Sequence, residues 1–192
     1  NNNGEYAIEL QQGSVGSIEE NTNISGNGIQ GTRGSQIKVA DGSMLNINDS
    51  KVENGPSIGI NISWGSRLWG RNVTVQNNGG NGIEANQNSL LNLSGATISN
   101  NGQLGISAHD NVNIELEPNF DDVTTHNRLE GNEEGGISLM ESKLRVGGRD
   151  AMNQDMLSIS GGNASISLDA SFASFHHSSP TLGNLRLSNG SR

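Results

Sequence analysis

The chain has 192 residues, 31% apolar and 3% aromatic, so it fits one domain whose core cannot be thick. A formal net charge of −9 argues against a nucleic-acid partner, which needs a basic face to displace counterions, and against an anionic membrane surface. No apolar run approaches the roughly 18 residues of a bilayer span, and zero cysteines exclude disulfides and thiolate metal sites. The opening NNNGEY lacks the charged and apolar parts of a signal peptide, so an exported chain of this kind is expected in mature form. Ile, Leu and Val recur too regularly for disorder, and the 27 glycines beside abundant Asn and Ser announce frequent turns.

In chain order, the first unit runs from Tyr6 to Gly28 and places Ile24 in its last apolar column after a one-residue slip. Ile37, Leu45, Ile47 and Val52 fill the same columns in the second. Gly59-Ile60, Gly82-Ile83 and Gly105-Ile106 then mark steps of 23 residues, with Leu68, Leu91 and Ile114 each nine residues after the glycine. Val73 and Val75 correspond to Ala96 and Ile98, and Asn77-Asn78-Gly79 to Asn100-Asn101-Gly102. In the fifth unit the expected column is displaced by eight residues, to Leu129. Gly136-Ile137, Leu144, Val146 and Ile159 form a sixth unit, and Ile166, Leu168, Phe172 and Leu187 are expected to fill a seventh.

Each unit offers three short alternating segments, such as GIEA, LLNL and ATIS, and alternation means strands with one face inward. One unit alone cannot offset the entropy of ordering its own residues. Stacked units can, because every strand gains parallel partners above and below and the apolar columns merge into one narrow core. The expected architecture is therefore all-β: a parallel solenoid of about seven rungs over residues 1–192, regular over 36–116 and with longer corner loops over 117–192.

The repeated GI…S-x-L-x-L…T-[IV]-x-N-N-G pattern, strongest from Asn54 to Leu116, resembles the right-handed parallel β-helix superfamily of pectate lyases, alginate epimerases and phage tailspikes. That resemblance implies a right-handed coil. It leaves function open, because the scaffold carries lyases, hydrolases, epimerases and inert stalks.

Function on a repeat scaffold is expected where the repeat is broken. Residues 117–128, 147–155 and 176–184 are extra, and all are expected at the corner between second and third strands. Stacked as a wall, they would gather Asp121, Asp122, His126, Arg128, Arg149, Asp150, Asp155, His176 and His177. A second constellation lies on the outward positions of the second strand. Arg67, Trp69 and Arg71 point out, Trp64 sits at the preceding corner, and Asn46, Asn92, Glu115 and Arg145 continue the column. Exposed Trp beside Arg suits sugar rings and their acidic groups.

In relatives of the pectate-lyase type, Arg or Lys removes a proton while Ca²⁺ on clustered carboxylates neutralises the uronate. The resemblance would bring Lys143, Arg145 or Arg149 to the first role and Asp121 with Asp122 to the second; no cofactor is expected to be required, and Ca²⁺ is the one this resemblance would add. Catalytic candidates on this reading are Asp121, Asp122, Arg145, Arg149, Asp150 and His126; Trp64, Arg67, Trp69, Arg71, Arg128, Lys143, His176 and His177 would bind substrate. No strict family motif for these roles is present. Glu130, Glu133, Glu134 and Glu141 could serve a tailspike-type hydrolase, although EGNEEGG also reads as a charged corner. The expectation is a non-catalytic extracellular or surface module, structural and polysaccharide-contacting, that can form homo-oligomers or stack end to end. The alternatives are a polysaccharide lyase, epimerase or glycosidase with a cleft beside the loops, and an inert assembling scaffold.

Overall fold

The computed structural model describes residues 5–28, 34–119, 126–147, 157–160, 166–175, 181–182 and 185–191. Turn four shows how sequence becomes structure. Ile83–Asn86, Leu90–Ser94 and Thr97–Ser99 are strands, and Ile83, Ala85, Leu91, Leu93, Ala96 and Ile98 are all buried. Gln87, Asn88, Gly95 and Asn100 make the corners in left-handed conformation, which Asn and Gly tolerate best. These strands pair with equivalents one turn away: Ile83 with Ile60 and Ile106, Leu91 with Leu68 and Ile114, Ile98 with Val75 and Leu129.

Among the described residues the strands form three parallel sheets of eight, seven and seven, with no helix. The first sheet holds the Gly-Ile strands, the second the Leu-x-Leu strands and the third the short Thr-Ile-Ser strands. Ile37, Ile47, Leu68, Leu93, Ile106 and Leu144 belong to one continuous core along the coil.

One corner is filled by amides. Asn78 donates through Nδ2 to Asn101 Oδ1 (3.0 Å), and Asn101 likewise to Asn132 Oδ1 (2.9 Å). The backbone N–H of each donates to the same oxygen of the next residue, at 3.1 Å in both cases. Buried polar groups are stable only when paired in this way. The Gly-Ile glycine follows from this ladder: a Cβ on Gly59 would lie 2.9 Å from Asn78 Nδ2 and 2.6 Å from the carbonyl oxygen of Gly82. Turn two reverses the two roles. Gln36 stands at the glycine position and Gly55 at the asparagine position, and the Gln36 amide reaches into the vacated space. It donates to Asn78 Oδ1 (2.8 Å) and accepts from the Asn27 backbone N–H (3.2 Å), so the ladder continues unbroken.

A serine column does similar work at the corner before the second sheet. Ser14, Val112, Ser142 and Ser171 each donate a backbone N–H to the hydroxyl of the serine one turn on, at 3.0–3.3 Å. That column corrects the expected seventh unit. Ser171 aligns under Ser142, so Ala173 and Phe175 pair with Leu144 and Val146, while Phe172 pairs with outward Lys143 and is 48% exposed. A shift of one residue exchanges the two faces of a strand, and the hydrogen-bonded serine outweighs the larger apolar side chain. Leu187 is also displaced: it pairs with Leu168 in the first sheet and opens an eighth turn. The third strand of turn seven is Thr181–Leu182, within the stretch 176–184 expected as a single loop.

Candidate functional site

The outward face of the second sheet is crossed by parallel columns of side chains. One reads Asn46, Trp69, Asn92, Glu115, Arg145, Ser174 in register. Its neighbour reads Met44, Arg67, Leu90, Asn113, Lys143, Phe172. In Arg67–Arg71 the burial alternates strictly, so Leu68 and Gly70 enter the core while Arg67, Trp69 and Arg71 remain exposed. Gly70 leaves room for the core side chains around it: a Cβ there would sit 2.8 Å from Leu93 Cδ2 and 3.1 Å from Val73 Cγ1.

Trp69 is 47% exposed and lines a groove of about 440 Å³ with Asn48, Arg71, Asn92, Glu117 and Asn119. A second groove of about 340 Å³ follows on the same face beneath Asn113, Glu115, Lys143, Arg145 and Phe172. Asn92 ties the two together, its Nδ2 lying 3.2 Å from Glu115 Oε2 and 3.5 Å from Glu117 Oε2. Arg145 Nη1 approaches Glu115 Oε1 at 3.8 Å, and Arg71 Nη2 approaches Asp49 Oδ2 at 3.9 Å. Both contacts are long and solvent-exposed, so neither ion pair contributes much stability. At the rim, Glu19 has its carboxyl held below the ordinary value, first by the Ser17 hydroxyl and then by the Asn48 amide. Asn46, next to Trp69 in its column, has an Oδ1 shielded from water without a hydrogen-bond partner among the described residues.

Directly after the strand Asn113–Glu117, Pro118 and Asn119 are tied back toward this groove. Ser94 donates its hydroxyl to the Pro118 carbonyl (2.8 Å), and Asn119 donates to Asn72 Oδ1 (2.8 Å), two turns earlier. The start of the first long loop thus borders the Trp69 groove.

Among the residues singled out from sequence, Arg67, Trp69, Arg71, Lys143 and Arg145 share this face. Trp64 does not: it lines a separate groove over the first sheet. Arg128 points outward from the third sheet and donates from Nε to Glu130 Oε1 at 2.9 Å, while His126 is half-buried just before that strand. Asp121, Asp122, Arg149, Asp150, Asp155, His176 and His177 lie outside the described residues. Asp121 and Asp122, the pair to which Ca²⁺ would be assigned, are among these. Among the described residues no three His, Asp or Glu side chains lie close enough to hold a metal. Sequence reading missed Asn48, Ser94, Glu117 and Asn119 as groove residues. Counting 23 residues from Arg71 finds Ser94, the outward neighbour of Glu117, whereas Asn119 is placed by loop folding.

Three parallel sheets wound one strand each per turn define a parallel β-helix solenoid. A family model described as a right-handed beta helix region matches residues 1–149, most of the chain, and the protein belongs to that family. No curated protein matches it significantly.

Proposed function

We propose that the protein is an extracellular or surface β-helix module that is structural and holds an acidic polysaccharide along the outward face of its second sheet without cleaving it. The observation that carries this reading is Trp69, half-exposed on its strand between Arg67 and Arg71. An indole supplies a platform for the apolar face of a sugar ring, and guanidinium groups supply charge-assisted hydrogen bonds to uronate carboxylates. Lys143 and Arg145, three turns along the same columns, extend the cationic track. An extended polymer laid across the rungs would meet one side chain about every 4.8 Å. The cations compete there with Glu115 and Glu117, so selectivity would rest on the spacing of acidic groups along the polymer.

The test is titration calorimetry with polygalacturonate and alginate. Binding should weaken as salt rises, and Trp69→Ala should lower affinity about tenfold, the equivalent of one lost stacking contact. Unchanged affinity in Trp69→Ala removes this reading.

One observation favours hydrolysis as a second reading: Glu115 and Glu117 are side by side on the same face and share the Asn92 amide. Paired carboxylates are the machinery of glycosidases. Incubation with both polymers, with and without Ca²⁺, separates the cases. New reducing ends indicate hydrolysis, absorbance of an unsaturated product indicates a lyase, and binding with neither indicates the module. Concentration-dependent oligomers without glycan binding would indicate an assembling scaffold.

A further inference from the structure

We infer that the first sheet carries a second, chemically different sugar site, a groove built around Trp64 that takes an uncharged pyranose. The groove has a volume of about 630 Å³ and lies over the outward positions of turns two to five, with Lys38, Asn61, Glu84 and His109 lining it and Trp64 at its corner. It rests on residues of a different sheet from the Trp69 face and does not depend on that face binding anything.

Three observations carry the assignment. The first is the conformation of Trp64. It occupies a left-handed corner with φ +55°, and the equivalent corners hold Gln12, Asp41, Gln87, Asp110, Glu141, Ala170 and Asn189 at φ between +46° and +62°. Left-handed backbone is unfavourable for a bulky side chain. Burial could repay that strain, but Trp64 is 60% exposed, so the core gains little from it. The backbone conformation belongs to the corner in every turn; a large exposed indole placed there, at a steric cost the core does not offset, points to a role in contact with something outside the chain.

The second is the charge of the groove. Lys38 is already committed, donating to Glu9 Oε1 at 2.9 Å with its ammonium 5.0 Å from the Tyr6 ring centre. His109 lies 3.0 Å from Asp110 Oδ2. Glu84 accepts from two neutral amides, those of Asn81 (3.0 Å) and Asn61 (3.4 Å). A carboxylate fixed by amides has acceptor capacity left for ligand hydroxyls, and among the described residues no uncommitted cation lines the groove to welcome an acidic sugar. The Trp69 face, with Arg67, Arg71, Lys143 and Arg145, has the opposite bias.

The third is polar capacity. Asn61, Asn86 and Gln87 bring carboxamides to the groove, each able to donate and accept. Ser35, 1% exposed, borders it, and its buried hydroxyl has no hydrogen-bond partner among the described residues. An indole wall with amides and one carboxylate suits the CH face and hydroxyls of a neutral pyranose.

The chain has two tryptophans, Trp64 and Trp69, one in each groove, so each site has its own fluorescent reporter. In Trp69→Phe the emission comes from Trp64 alone. Titration of that variant with cellohexaose, mannohexaose and xylohexaose should give a saturable emission change with at least one of them, at a Kd on the order of 1 mM. Added salt should leave the Kd unchanged, because no net charge is paired on binding. Glu84→Gln, an exchange on an outward position that spares the core, should weaken binding about tenfold. Polygalacturonate should not compete. No response to any of the three up to about ten times that Kd, or a response abolished by salt as an ammonium ligand would give, overturns the inference. Failure of the Trp69 face would appear separately, in Trp64→Phe titrated with polygalacturonate.

Discussion

The exchange of roles in turn two predicts a rescue. Gln36→Gly removes a buried amide that donates to Asn78 Oδ1 (2.8 Å) and the Glu53 carbonyl (2.9 Å) and accepts from the Asn27 N–H (3.2 Å). Three bonds at about 1 kcal/mol each, with the added flexibility of a strand glycine, put the cost at about 3–4 kcal/mol. Gly55→Asn alone brings a Cβ within 2.7 Å of Gln36 Cγ and 2.9 Å of Gln36 Cδ. Overpacking of that kind costs about 1–3 kcal/mol. Together the two changes recreate the arrangement of turns three and four, glycine on the first sheet and asparagine at the corner. The introduced amide would then donate to Asn78 as Asn78 does to Asn101. The singles should sum to about 5 kcal/mol, while the double variant should lie within about 2 kcal/mol of the native chain, a coupling of about 3 kcal/mol. Urea unfolding followed by circular dichroism and by tryptophan emission measures all four proteins, and coincidence of the two probes checks that the transition is cooperative. Additivity within about 0.5 kcal/mol would refute the claim that Gln36 stands in for the missing asparagine.

Other outcomes follow from the same geometry. Gly59→Ala should destabilise by about 3 kcal/mol, because the backbone oxygen of Gly82, 2.6 Å from the new Cβ, cannot move aside as a side chain can; a loss in urea midpoint measures it. Asn101→Ala breaks the centre of the ladder and strands the Asn78 N–H, with an expected loss of about 3–5 kcal/mol by the same assay. Glu53 accepts from Gln76 (2.7 Å) and Asn23 (2.9 Å), and these bonds, Gln76 first, hold its carboxyl below the ordinary 4.5. With the folded value below the unfolded one, its contribution is complete above the unfolded value and disappears as pH falls through the folded one. Glu53→Gln should therefore reduce the fall in Tm between about pH 5 and pH 3, and an identical fall would count against the carboxylate.

The sequence by itself determined the coil. A 23-residue period with alternating apolar positions leaves parallel stacking as the only way to bury Ile60, Ile83 and Ile106, and these residues do pair in register. It determined the outward face too, because strict alternation in Arg67–Arg71 decides which side chains reach water. Where the period weakens, apolar character misleads: Phe172 is the larger side chain, but the Ser171 hydroxyl fixes the strand one residue later. Tertiary structure alone decided what lies across from what. Trp64 and Trp69 are five residues apart, yet the corner between them turns the chain from one sheet to the next and gives each its own groove. Gln36 and Gly55 look like two unrelated departures from the repeat until the coil brings them into contact. Periodicity records which face a residue occupies, because burial acts on one strand at a time. Which residues share a corner depends on distances that close only when successive turns stack.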